Sequence, residues 1–307
     1  MRISEYQKEY LSYCRVEKGN CLGTIEKKRD CIRKIIRSIR DISVSEINQY
    51  IQLDLKGRLI DEGLSDSRMA SLISTLKDFL KYLKEFVELD GIYDYTKITI
   101  PRVRGKPTEY WMEREVDEFI EGLPEITLKD KRFKALCLLL AVSGARISEV
   151  LGLRRDINLG SHEAEVLGKG NRYRKVYWDD TTEYYLKQYQ DVRPDWDKSP
   201  FLFGTINKGN YSGQWDKGDI NRTFRKISKK IGKRIHCHKF RSSFLTNGLH
   251  NGINLSAISK AMGHSDIRTS MRYFAPMTDE NTKAEFEKYF SRKKTIESKG
   301  NIRKITS

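Results

Sequence analysis

Cysteine is scarce and shows no pairing pattern. Cys14, Cys21, Cys31, Cys137 and Cys237 are odd in number and contain no CxxC spacing. That argues against a disulfide framework and against a thiolate zinc site, and fits a reducing, cytoplasmic setting. His236-Cys237-His238 offers metal-binding side-chain types. Neighbours on an extended chain face opposite ways, however, and no second ligand pair stands nearby, so no metal is expected. The chain also lacks any apolar run of about 18 residues, so no transmembrane helix and no membrane partner are expected. Its first residues, MRISEYQKEYLSY, lack the apolar core of a signal peptide. No carboxylate cluster of the kind that gathers magnesium for two-metal phosphoryl chemistry is evident. There is no internal repeat and no low-complexity segment. Acidic residues are in deficit, 42 Asp+Glu against 58 Lys+Arg, leaving a net charge of +16.

That excess implies a polyanionic partner, because each neutralised phosphate releases condensed counterions. The 307 residues suit two domains, and a hydrophobic content of 38% supplies cores of ordinary size. The front of the chain reads as helices. Thr24 is placed to cap a helix carrying Ile32, Ile35, Ile36 and Ile39 at i, i+3, i+4, i+7. Ser43 is expected to open a second helix that runs through Tyr50 and Ile51. Met69, Leu72, Ile73, Leu76, Leu80 and Leu83 form a long stripe from about Ser65 to Val87. The period breaks over 91–108, where prolines, glycines, Lys97, Arg102, Arg104 and Lys106 make a basic connection. Beyond it come a short helix at Val116–Ile120 and a buried helix over Ala135–Val142 that ends in the Ser143-Gly144-Ala145 turn. A β-hairpin comes next, with Gly168, Gly170 and Asn171 at its turn. The chain then reads as mostly helical to about Lys294. The fold class expected is mainly α with a small β-sheet. Its divisions are 1–100 helical, 101–108 basic linker, 109–290 mixed, and 291–307 a basic, flexible tail.

Chemistry gathers late in the chain. His238, Arg241, His264 and Tyr273 lie within one stretch, with Arg146 in SGARISEV and Lys169 in GKGNRYR upstream. Two guanidiniums can fork onto non-bridging phosphate oxygens and stay charged at any relevant pH. A tyrosine hydroxyl can attack the phosphorus they hold. Ionising it at pH 7 costs about 4 kcal/mol, which neighbouring cations offset. Tyr273 sits among Arg268, Thr269 and Arg272, unlike a core aromatic, and the adjacent Phe274 has no nucleophile. Lys169, on a Gly-flanked hairpin, can protonate a leaving oxygen. Glu149, one turn after Arg146, can orient it. Arg172, Arg174 and Lys175, with the linker's Arg102, Arg104 and Lys106, are read as contacts to a nucleic-acid backbone. The scheme calls for no metal and no cofactor.

SGARISEVLGL, GKGNRYRKV, HKFR and MGHSDIRTSMRYF, in that order and with His264 nine residues before Tyr273, resemble the boxes of the tyrosine recombinase (phage integrase) family. The resemblance spans roughly residues 108–290. It implies an α+β catalytic domain there, preceded by a helical core-DNA-binding domain. It implies cleavage and rejoining of double-stranded DNA at a specific core site through a 3′-phosphotyrosine. Lys169 would then be the catalytic lysine, His238 the HxxR histidine, and His264 a donor to a non-bridging oxygen. Integration, excision and resolution all use such chemistry. The front half begins almost at residue 1, which suggests a simple two-domain recombinase without an arm-site-binding domain. The resemblance further implies a homotetramer on synapsed DNA and a monomer free in solution; the C-terminal helix expected at residues 279–294 would dock on a neighbouring protomer, with packing in cis as the alternative. Ser242 departs from the histidine often found after the HxxR arginine, and Phe274-Ala275 departs from a Thr-His pair; both bear on subfamily, not on chemistry. Two rival readings are a type IB topoisomerase and a non-catalytic helix-turn-helix regulator, for which SAISKAMGHSDIRTSMRYF is a passable pattern.

Overall fold

The computed structural model describes residues 1–103, 109–168, 170, 172–194, 197–206 and 213–263. The chain divides into two compact units, Met1–Lys106 and Pro107–Ser307.

The first unit is built from four helices, α1 (Ile3–Val16), α2 (Leu22–Ile39), α3 (Gln49–Asp61) and α4 (Asp66–Glu85). Their apolar stripes close on one core that includes Tyr10, Ile32, Ile35, Leu55, Leu59, Leu72, Leu76, Phe79 and Leu83. Ser65 caps α4 by accepting from Arg68 N at 3.3 Å, and the expected stripe is buried along the helix. Two expectations are corrected. Thr24 lies inside the first turn of α2 and not before it; Cys21 is the cap, in extended backbone, with its Sγ 3.3 Å from Thr24 Oγ. The helix expected from Ser43 through Ile51 is broken. Val44–Glu46 forms a single 3₁₀ turn, Ile47 is extended, and α3 restarts behind Asn48. Asn48 Oδ1 accepts from Tyr50 N at 2.9 Å and Ile51 N at 3.0 Å, and this cap competes successfully with a continuous helix.

Asp78 of α4 carries the polar centre of this unit. It accepts from Tyr10 Oη at 2.8 Å and from Lys18 Nζ at 2.5 Å, and it pairs with Lys28. Burial opposes its ionisation, but the hydrogen bonds from Lys18, Lys28 and Tyr10 outweigh that and hold the carboxyl at about 2. A free Asp titrates near about 3.9, so the bonus to folding is complete above that pH and is lost as pH falls towards 2. Thermal melts stepped from pH 5 to pH 2 are expected to show an acid loss of stability that Asp78→Asn reduces. Equal acid sensitivity in the two proteins would place the effect elsewhere.

The second unit surrounds α6 (Leu128–Ser143), which packs against α5 (Glu113–Glu121), α7 (Ile147–Leu151), α8 (Asp180–Asp191) and α10 (Cys237–His250). Burial on every side explains why α6 reads as an apolar run and not as a stripe: Ala135, Leu136, Cys137, Leu139 and Leu140 are all fully enclosed. Its charged members find partners. Arg132 Nη1 donates to Gly204 O at 2.7 Å with its guanidinium 3.5 Å over the Trp215 ring, and Lys134 pairs with Glu125 at 2.5 Å. Helices α9 (Lys217–Ile231) and α11 (Leu255–Ala261) complete the helical set among the described residues. The small sheet is the expected hairpin, β1 (Glu163–Leu167) antiparallel to β2 (Tyr173–Tyr177), with Val166 opposite Arg174 and Ala164 opposite Val176. Among the described residues, no helix is long and apolar enough to cross a membrane. The expected C-terminal helix and tail lie outside the described residues.

Gly144 sets the direction in which the chain leaves α6. It ends that helix with φ +57°, a conformation only glycine adopts freely. A Cβ there would stand 2.4 Å from Phe244 Cδ1 of α10. Gly144→Ala is expected to destabilise this unit by about 2–5 kcal/mol, from left-handed strain plus overpacking. Denaturant unfolding measures it, and a loss under about 1 kcal/mol would contradict the packing described.

Candidate active site

The turn that ends α6 delivers Arg146 to the start of α7. Glu149 stands one turn later and is almost wholly buried. Its Oε1 accepts from Arg146 Nη1 at 2.8 Å, and its Oε2 accepts from Arg146 N at 2.7 Å. The Arg146 side chain keeps 31% of its surface exposed, so its orientation is set from behind while a face remains open. Burial raises the Glu149 pKa, but hydrogen bonds and charge from Arg174 and Arg146 outweigh it and hold the carboxyl below its ordinary value. A buried carboxylate with two cationic partners is the arrangement that tolerates desolvation.

Arg241 comes from α10, three residues after His238, so both project from adjacent turns of one helix face. It is 2% exposed. Its Nη1 donates to Gly144 O at 2.6 Å and its Nη2 to Met262 O at 2.7 Å. Arg241 is thereby tied to the loop that presents Arg146 and to the residues just past α11. His238 is exposed by surface area. Even so, partial desolvation, and then the positive charge of Arg241 and Arg146, push its imidazole below the ordinary value. Both arginines therefore lie close enough to this imidazole for their charges to act on it.

Serines and an asparagine on the same helix hold the segment by which the chain enters this unit, Glu109 to Trp111. Ser243 Oγ accepts from Trp111 N at 2.8 Å, Asn247 Nδ2 donates to Trp111 O at 3.0 Å, and Ser242 Oγ donates to Glu109 O at 2.9 Å. That gives Ser242, the sequence departure, a structural task.

Arg174 requires a correction. Read from the sequence as a nucleic-acid backbone contact, it has a side chain only 10% exposed. Its Nη2 donates to Glu149 Oε2 at 2.6 Å and its Nη1 to Ala261 O. Strand alternation gave the signal: Arg174 shares the inward face of β2 with Val176, whereas Tyr173, Lys175 and Tyr177 point out. Arg172 and Arg102 are exposed, and Lys175 is exposed and paired with Glu163 at 2.5 Å. Lys169, His264, Tyr273, Arg104 and Lys106 lie outside the described residues. The carbonyls of Gly144 and Met262 are participants that no sequence pattern signals, since every residue has a carbonyl.

Among the described residues, no strong metal site surrounds this constellation. Cys237 beside His238 has its thiol pushed up to about 11 by burial, which disfavours the thiolate a metal would need. Elsewhere His162 Nε2 lies 2.6 Å from Glu183 Oε2 and 3.3 Å from Asp180 Oδ1. Lys187 also pairs with Glu183, so the group reads as an ion-pair cluster at the start of α8.

Residues 110–280 match the sequence model of the phage integrase family. The tyrosine recombinase XerD of Staphylococcus epidermidis is 32% identical over 281 residues, covering 86% of this chain and 92% of that protein. A tyrosine recombinase of Thermosipho africanus is 27% identical, covering 89% and 94% respectively. Among solved structures, the XerH site-specific recombinase bound to its palindromic difH substrate aligns with TM-score 0.68 at 20% identity, over 91% of this chain and 84% of that one. The Tn1549 transposon integrase in complex with circular intermediate DNA aligns with TM-score 0.70 at 18% identity, over 93% and 99%. At such identities the structures establish the fold, and the sequence relatives establish kinship. From the family match over more than half the chain and a relative of this similarity along nearly its whole length, this chain belongs to the phage integrase family and is a tyrosine recombinase, a DNA strand-transferring enzyme.

Proposed function

We propose that this recombinase cleaves and rejoins double-stranded DNA at a specific core site, with Tyr273 as nucleophile and Arg146 and Arg241 as phosphate clamps. The observation that carries the reading is the convergence of Arg146, its Glu149 lock, Arg241 and His238 at the α6–α7 turn and the face of α10. In the reaction, Tyr273 Oη bonds to phosphorus, the bond to the 5′ oxygen breaks, and a 3′-phosphotyrosine remains. The arginines neutralise the charge that grows on the non-bridging oxygens. His238, biased towards its neutral form by partial desolvation and by the charges of Arg241 and Arg146, accepts the phenolic proton. Lys169 protonates the departing 5′ oxygen, and His264 donates to a non-bridging oxygen. A second 5′-hydroxyl reverses every step, so strand exchange proceeds with no metal or nucleotide.

In this reading residues 1–100 grip the core site, 101–108 cross the DNA backbone as a basic linker, 109–290 catalyse, and 291–307 form a tail. Arg172, Lys175 and Arg102, all exposed, contact phosphates together with Arg104 and Lys106. The working species is a homotetramer on two synapsed duplexes, and the protein acts in the cytoplasm.

The test uses the full chain, EDTA, and supercoiled plasmids carrying its gene with flanking DNA. Detergent-stable adducts on 3′ ends, and joint molecules from two differently sized plasmids, are expected. Relaxation without joint molecules would favour a topoisomerase. Binding without adduct would favour a regulator and overturn the proposal.

A further inference from the structure

Arg174 links two parts of the site that the reaction scheme leaves unconnected. One nitrogen reaches Glu149, the buried carboxylate that orients Arg146, at 2.6 Å. The other reaches the carbonyl of Ala261 at the end of α11. Arg241 grips the next carbonyl, that of Met262, at 2.7 Å. Two guanidiniums therefore pin consecutive carbonyls at the point where the chain leaves α11 towards His264. Gly263 permits this. It has φ +63°, and a Cβ there would meet Arg174 Cδ at 2.6 Å. Arg174 Nε is buried and has no hydrogen-bond partner among the described residues. Its place thus rests on the two terminal nitrogens and on packing.

We propose that Arg174 is a positioning residue for strand cleavage: by bridging Glu149 and the Ala261 carbonyl, it holds the Arg146 clamp at a set distance from the segment that leads to His264. The inference rests on reading Arg146 as a phosphate clamp. A point charge does not suffice for this task. An ammonium reaches one of the two acceptors, whereas the planar fork spans both. Contact with the DNA backbone is the competing role, and a side chain one-tenth exposed with both terminal nitrogens engaged is poorly placed for it.

The experiment uses a nicked duplex made from the sequence on which the wild-type chain forms its adduct. Affinity is measured by gel shift, and the single-turnover adduct rate is measured at saturating duplex. Arg174→Lys and Arg174→Met are each expected to slow adduct formation at least tenfold at saturation, with affinity within about threefold of wild type. Glu149→Gln is expected to slow it as well. The double substitution Arg174→Met with Glu149→Gln should be no slower than the slower single variant, because the two act through one connection. Arg174→Lys keeps the charge and most of the packing, so it decides the matter even where Arg174→Met folds poorly. Wild-type rate at saturation in Arg174→Lys overturns the inference. So does a loss confined to affinity, with the salt dependence shallower by about one phosphate contact, which marks a backbone contact. Multiplying effects in the double variant overturn it too. Arg146→Ala separates the two layers: a wild-type adduct rate there sinks the clamp reading itself, whatever Arg174 does.

Discussion

Tyr273→Phe is expected to abolish the covalent protein–DNA adduct and all strand exchange while leaving duplex binding close to wild type. The substitution removes one oxygen and keeps the ring, so the surrounding packing barely changes. No neighbouring residue replaces the lost group, since Phe274 has no nucleophile. The expected fall in adduct formation is on the order of 10⁴-fold or more. Affinity should stay within about fivefold, the size of one neutral hydrogen bond. Adduct is scored by detergent-stable retention of labelled DNA, and affinity by gel shift. Adduct persisting in the Phe protein would transfer the nucleophile to another of the chain's 16 tyrosines.

Arg241→Ala is expected to cost both chemistry and structure, a double effect that should distinguish it from Arg146→Ala. Loss of a donor aimed at transition-state charge lowers the rate by about 10²–10³-fold. The same side chain also satisfies Gly144 O and Met262 O, in residues that are themselves buried. An unsatisfied buried acceptor costs about 1–3 kcal/mol, so the alanine protein is expected to lose about 2–5 kcal/mol of stability. Arg146 is partly exposed and its side chain pairs with Glu149, so Arg146→Ala should lose a similar factor in rate with a smaller loss of stability. Denaturant unfolding and single-turnover adduct formation, measured on the same preparations, test the contrast. Equal stability losses in the two variants would refute the structural half. A near-wild-type rate in Arg241→Ala would refute the chemical half.

Much of the site is legible along the chain because its couplings are local. Arg146 and Glu149 are three apart, as are His238 and Arg241, and in each pair one helical turn does the positioning. The α4 stripe and the hairpin are legible for the same reason, since periods of 3.6 and 2 depend only on neighbours. Sequence and structure part where a residue's type points one way and its position another. Thr24 is a good cap by type, but Cys21 is where the chain turns extended. Arg174 is a phosphate-binding type, but alternation puts it on the buried face with Val176.

The amino-acid order by itself determined which chemistry the chain carries and the order in which it is strung, because side-chain reactivity and short-range periodicity need no partner from afar. The tertiary structure alone decided which arginine is open and which is enclosed, and which carbonyls hold them. Those outcomes depend on segments far apart in sequence meeting around α6, where backbone oxygens that look alike in any sequence become distinct once they are buried.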